Sequence, residues 1–187
     1  SNIYTKNSKK YKKFFLMKKS INKKILVTII IPYHKKKKFF SSTIKSIKDQ
    51  IFKNYELIVI YDDKDLKELT FVKNQLKKIK NKKLIINKKI IGPGLSRNIG
   101  IKLAKGKYVS FCDADDIWKN NKLSYQINFM IKNNLKFCHS NYDIIDFKGK
   151  RIGNFMIEEK INYENLLKSC DIGLSTVTIE KNLLNNY

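Results

Sequence analysis

Residues 25–31 (ILVTIII) form an unbroken, largely β-branched run, the composition of a strand buried on both faces. Residues 57–61 (LIVIY) repeat the signal, 84–86 (LII) give a shorter version, and 108–112 (YVSFC) a fourth. Helical stripes lie between them. Ser41 and Ser42 are candidate N-caps for a helix whose Ile44, Ile47 and Ile51 fall at spacings of three and four. Leu66, Leu69, Val72, Leu76 and Ile79 trace a second helix, Ile99 and Leu103 a third that Gly106 can close, and Leu123, Ile127 and Met130 a fourth. Strands alternating with helices imply βαβ units with right-handed crossovers. The sequence therefore predicts an α/β fold, a mostly parallel sheet flanked by helices. After about Lys136 the pattern loosens to a strand and a turn over 136–153, a short helix near Leu166 and a strand over 174–179.

At 187 residues the chain is long enough for one domain with a full core. The first 24 residues are a lysine-rich, flexible leader; Phe14 and Phe15 make too short an apolar patch for a signal peptide, and Met17 is a candidate for the true start. Residues 25–187 form the single domain.

The formal charge is +24, yet of 40 basic residues only Arg97 and Arg151 are arginine. The lysines run the length of the chain beside abundant Asn and Ile, a compositional bias rather than a binding stripe. No specific nucleic-acid partner is expected. Attraction to an anionic membrane surface is, because summed charge acts at range. The three cysteines (112, 138 and 170) form no CxxC pair, which favours free, packed thiols in a reducing compartment, hence the cytoplasm. No apolar run is long enough to span a bilayer.

Each strand-like run ends in a polar cluster. Pro32-Tyr33-His34 follows the first, Asp62-Asp63 the second, GPGLSRN (92–98) the third and Asp113-Ala114-Asp115-Asp116 the fourth. Parallel strands bring all four to the C-terminal edge of the sheet, where open α/β folds bind ligands. Gly92, Gly94 and the following helix start can offer backbone N–H groups to an anion, and Arg97 a planar fork. The acids are hard oxygen ligands for Mg²⁺ or Mn²⁺ bridging to phosphate. In an extended segment Asp113 and Asp115 point the same way, so they can share a ligand. Competing readings take these acids as a plain helix cap, Trp118 as a packing residue, and His34 and His139 as structural or solvent-facing.

The stretches ILVTIIIPYH, YELIVIYDD, GPGLSRNIGIKLAKGKYVSFCDADDIW and the Lys122-Leu123 pair resemble the nucleotide-binding half of family 2 glycosyltransferases with the GT-A fold. The likeness covers about 25–125 and continues faintly through CDIGLSTVTIEKNLL, so 126–187 would begin the acceptor part. The resemblance implies that Pro32, Tyr33 and Asp62 or Asp63 line the nucleoside pocket. Arg97 would touch the nucleotide, Asp113 the ribose or sugar, and Asp115 the metal, Mn²⁺ or Mg²⁺. It implies inverting transfer from a nucleotide sugar, usually UDP-linked, to a glycan or lipid-linked acceptor, in surface polysaccharide synthesis at the inner face of the membrane. The general base of that family lies after a strand like 174–179, so it is expected beyond Tyr187. Alternatives are a nucleotidyltransferase, although the segment after the first strand (HKKKK) lacks the glycines such an enzyme uses, and a non-catalytic nucleotide-binding fragment.

Overall fold

The computed structural model describes residues 26–156, 164 and 172–184. The leader, Met17, Cys170 and the helix expected near Leu166 lie outside the described residues. In chain order the elements are β1 (Val27–Tyr33), α1 (Lys37–Lys48), β2 (Tyr55–Tyr61), α2 (Leu66–Leu76), β3 (Lys82–Ile86), α3 (Gly92–Leu103), β4 (Tyr108–Phe111) and α4 (Lys122–Lys132). Then come β5 (Phe137–Cys138), β6 (Tyr142–Ile145), β7 (Arg151–Phe155) and β8 (Thr178–Glu180). Six strands pair in the order β3-β2-β1-β4-β8-β5, and β6 and β7 form a separate hairpin. β1 to β4 are parallel as expected, with β1 between β2 and β4, whereas β8 runs antiparallel to both β4 and β5.

The period-two alternation of β1 sorts the core into two layers. Val27, Ile29, Ile31 and Tyr33 face the larger cluster, built with Phe40, Ile44 and Ile47 of α1, Leu69, Val72 and Leu76 of α2, and Leu123, Ile127 and Met130 of α4. Ile30 faces the smaller one with Ala104, Val109, Phe111 and Val177. This is why the strand runs lack polar alternation: both faces are covered. Among the described residues no helix is long and apolar enough to cross a membrane.

Several boundaries differ from expectation. α1 starts earlier, at Lys37, so Ser41 and Ser42 lie inside it; its N-cap, Lys36, makes no side-chain cap bond. A left-handed residue, Lys35 (φ 49°), makes the turn from β1 and fixes that start. Ile51 falls past the helix end and is exposed, and Phe40 completes the buried stripe. The GPG segment is the first turn of α3 itself, whose buried face is Ser96 and Gly100. A Cβ on Gly100 would lie 2.5 Å from Ile30 Cγ2, so the glycine lets the helix approach the sheet. Gly106 does not close α3, which ends at Leu103 with an extended Ala104. The segment expected as a strand over 174–179 opens with a 3₁₀ turn, Leu174–Thr176, before β8.

Gly106 has a different reason to be glycine. Its N–H donates to Thr28 Oγ1 (2.9 Å), Thr28 Oγ1 donates to Glu56 Oε1 (2.7 Å), and the Lys105 N–H donates to the same carboxylate oxygen (2.7 Å). This buried network ties the loop before β4 to β1 and β2, and a Cβ on Gly106 would sit 2.5 Å from the Thr28 nitrogen. Backbone cannot yield as a side-chain tip can. Gly106→Ala is therefore expected to lower unfolding stability by about 2 kcal/mol, read as a shifted urea midpoint at unchanged slope.

Candidate functional site

The four polar clusters meet at the C-terminal edge of β1 to β4, and two buried acids after β2 set the geometry. Asp62 is 2% exposed. Its Oδ1 accepts from Asn87 Nδ2 (2.8 Å) and the Ile91 N–H (3.0 Å), and its Oδ2 from the Gly92 N–H (2.7 Å). The carboxylate thus holds the start of α3 against the end of β2, using the N–H groups that a helix leaves unpaired. Gly92 sits at φ +85°, a conformation that favours glycine, and so can turn its N–H inward. Asp63 accepts from the backbone N–H groups of Lys64 (2.6 Å), Asp65 (3.2 Å) and Lys35 (3.2 Å), with His34 Nδ1 3.6 Å away. Burial pushes its carboxyl up, but the Asp65 and Lys64 donors, His34 and the Lys35 donor outweigh it and hold Asp63 below the usual carboxylate range.

Tyr33 goes inward rather than lining a pocket. Its ring is 0% exposed, packs edge-on to Phe40 and stacks on Tyr61, and its hydroxyl donates to Glu68 Oε2 (2.7 Å). Burial first, then the Glu68 hydrogen bond, raises its pKa. Pro32, beside it in β1, is half-buried.

The acid loop after β4 is neutralised from two helices. Arg97 of α3 donates through Nη2 to Asp113 Oδ1. Lys36, at the start of α1, donates through Nζ to Asp115 Oδ2 (2.6 Å). Both acids keep solvent access, with 39% of the Asp113 side chain and 35% of the Asp115 side chain exposed. Arg97 Nε is buried with no hydrogen-bond partner, an unsatisfied donor at the same edge. Asp116 behaves differently. Desolvation of its carboxyl raises it above the ordinary value against a Ser175 hydrogen bond, and the charges of Asp113 and Asp115 add to the rise, although the residue as a whole is exposed.

Ser175 anchors the loop from the far side of the chain. Its hydroxyl accepts from the Asp113 N–H (2.9 Å) and its carbonyl from Trp118 Nε1 (2.9 Å). Those contacts hold the 3₁₀ turn in place of an extended strand. Trp118 is buried, in keeping with a packing role, and Lys122 Nζ lies 4.0 Å from its ring centroid. That amine also donates to Gln126 Oε1 (2.9 Å), and burial lowers its pKa to about 7.

Asp62, Asp63, Arg97, Asp113 and Asp115 are thus gathered at one edge, while the Tyr33 ring is not. Lys36 and Ser175 join the edge unforeseen. Lys36 stands in an unbroken run of lysines that the sequence does not tell apart, and Ser175 lies in the segment expected as a strand. Among the described residues no group of three or more His, Cys, Asp or Glu side chains could hold a metal ion. Asp115 and Asp113 are partly exposed hard oxygen ligands that could supply only part of a Mg²⁺ or Mn²⁺ shell, and phosphate oxygens and water would have to fill the rest.

The family described as Glycosyl transferase family 2 matches residues 28–180. WfgD of Escherichia coli, a UDP-Glc:alpha-D-GlcNAc-diphosphoundecaprenol beta-1,3-glucosyltransferase, is 38% identical over 151 residues, which are 79% of this chain and 57% of that protein. TuaG of Bacillus subtilis, a putative teichuronic acid biosynthesis glycosyltransferase, is 30% identical over 141 residues, 74% of this chain and 56% of that protein. The chain thus spans little more than half the length of these relatives. S. aureus TarS 1-349 in complex with UDP superposes with a TM-score of 0.70 at 22% identity, covering 86% of this chain and 48% of that one. Mannosyltransferase PcManGT from Pyrobaculum calidifontis, in complex with GDP-Man and Mn2+, gives 0.64 at 14% identity, covering 93% and 51%. Both share the fold, that of GT-A glycosyltransferases.

Asp62→Ala leaves the Ile91 and Gly92 N–H groups without their acceptor. It is expected to destabilise by about 2 kcal/mol or more and to speed hydrogen exchange at those two amides ahead of the β1 and β2 amides. For Lys122, the unfolded amine keeps its proton up to the ordinary lysine value of 10.5, and the folded one releases it near 7. Between those values the unfolded state binds more protons, so this group makes stability rise with pH. Lys122→Met is expected to flatten that rise between pH 7 and 9 and to gain most at pH 7 and below, as read in thermal melts of both proteins.

Proposed function

The chain belongs to glycosyl transferase family 2, and from that premise we propose that its carboxylate edge binds the diphosphate of a nucleotide sugar, through a divalent ion, for inverting sugar transfer. The observation that carries this reading is the paired neutralisation of Asp113 by Arg97 and of Asp115 by Lys36 at the ends of parallel strands. Two acids and two cations at one edge are charge-matched to a ligand that itself couples a cation to a diphosphate. On ligand arrival the acids can turn to the ion and the cations to phosphate oxygens, so no charge is left buried and unpaired. The unpartnered Arg97 Nε is a further donor available to such a ligand once the side chain shifts.

In this reading Asp115, with Asp113, would hold Mn²⁺ or Mg²⁺, and Asp113 would also serve the ribose or sugar. The ion would neutralise charge developing on the departing diphosphate. Pro32 and Asp63 border the space for the nucleoside. Asp62 works one layer beneath, holding the helix start that carries Arg97. A UDP-linked donor is supported by WfgD, a UDP-Glc-dependent glucosyltransferase, and by the UDP bound to TarS. A lipid-linked acceptor is supported by the GlcNAc-diphosphoundecaprenol acceptor of WfgD. Such an acceptor would put the protein in the cytoplasm at the inner face of a membrane, a setting compatible with free thiols at Cys112 and Cys138. The single domain of 25–187 would then be the donor-binding portion and the beginning of the acceptor portion.

Calorimetric titration of UDP, with and without Mn²⁺, tests the reading. Saturable binding that needs the ion and weakens about tenfold or more in Asp115→Asn is expected. Absence of binding to UDP or any other nucleoside diphosphate, in protein shown to be folded, would refute it and leave the acids as a helix-capping loop.

A further inference from the structure

The β6–β7 hairpin presents a surface that donor binding does not use. Its turn is closed by Asp146, whose Oδ1 accepts from the N–H groups of Lys148 (2.8 Å) and Lys150 (2.9 Å), while its carbonyl accepts from Gly149 (2.9 Å). Gly149 (φ +83°) completes the reversal. This closed turn holds Phe147 out in solvent, 69% exposed, with Lys38 Nζ 5.1 Å and Lys148 Nζ 5.7 Å from its ring centroid. On and just beyond the hairpin, Ile152 (65%) and Met156 (68%) are exposed as well. Exposed large apolar side chains at one short hairpin, one of them flanked by two cations, mark a contact surface rather than a solvated loop.

Among the described residues beside Phe147 the charges are mostly positive. Of the hairpin's acids, Asp146 is engaged by the turn amides, and Asp143 is paired with Lys119 (2.9 Å) and Arg151 (3.0 Å). Lys148 and Lys150 of the turn, with Lys38 at the start of α1, are exposed and free to meet an anionic partner. An exposed aromatic ring flanked by lysine amines suits a bilayer interface, with the ring among acyl chains and the ammonium groups at lipid phosphates. The position also matters. Lys38 reaches Phe147 from the first turn of α1, and Lys36, at the cap of the same helix, holds Asp115.

We propose that the β6–β7 turn docks on an anionic phospholipid bilayer by inserting Phe147 into its interface, with Lys38, Lys148 and Lys150 at the headgroups, and thereby holds the carboxylate edge at the membrane surface. The docking rests on the hairpin and needs neither donor nor acceptor, so it stands or falls apart from the donor-binding reading.

Vesicle co-sedimentation without nucleotide tests it, with phosphatidylglycerol-containing vesicles set against pure phosphatidylcholine. Binding to the anionic vesicles is expected, and a drop of about tenfold in Phe147→Ser, which alters no charge. Phe147→Trp is expected to give emission that shifts blue on binding and is quenched by brominated lipid, whereas the buried native Trp118 gives little of either. The UDP titration of Phe147→Ser is expected to match that of the unaltered protein, which separates this proposal from donor binding. Vesicle binding unchanged in Phe147→Ser would mean that the overall positive charge suffices, and would overturn the proposal. So would no binding to anionic vesicles, or a dimer in solution that shields the introduced indole of Phe147→Trp from lipid.

Discussion

The Asp62 carboxylate is the constraint on which the rest of the edge depends. Three N–H donors from the loop and first turn of α3 converge on one buried acid at the end of β2. A buried carboxylate is tolerated only when donors replace its water, so the acid and the helix start must stay together. Once that start is fixed, the rise of α3 carries Arg97 to the far side of β1, against Asp113. Gly100 makes the path possible by letting the helix lie close on Ile30. A backbone device beneath the surface thus decides where a surface cation stands.

Three acids within four positions repel one another unless cations or donors neutralise them. In a chain of formal charge +24, lysines everywhere could screen them. The structure uses two particular cations from two different helices, one for Asp113 and one for Asp115, and leaves Asp116 to a hydroxyl. Pairs that are partly exposed contribute little stability on their own. Their value lies in holding acids ionised and cations aimed at one spot, ready to exchange partners with a charged ligand.

The hairpin and the 3₁₀ turn are placed by the same kind of long-range contact. Ser175 fastens the acid loop from a segment far along the chain, and Asp143 ties the hairpin to Lys119 just past Trp118. Elements that look peripheral in sequence therefore border the edge directly. A lipid-facing hairpin and a diphosphate-facing loop would then share one side of the molecule.

The amino-acid sequence by itself determined the layers: β-branched runs with no polar alternation demand covered strands, and the helical stripes between them demand parallel crossovers. It also determined that the acids, Arg97 and the GPG turn share an edge, because parallel strands end together. What it could not settle is direction and partner. Tyr33 sits on an edge-ward tripeptide yet turns into the core, since strand parity put its ring beside Phe40 and Tyr61. Ser41 and Ser42 have cap chemistry, but the left-handed turn at Lys35 started the helix before them. Lys36 was indistinguishable from its neighbouring lysines until folding set one of them 2.6 Å from Asp115. Periodicity is a local property and survives in the sequence. Which side chain meets which across the sheet is a long-range one, decided only when the strands pair and the helices pack.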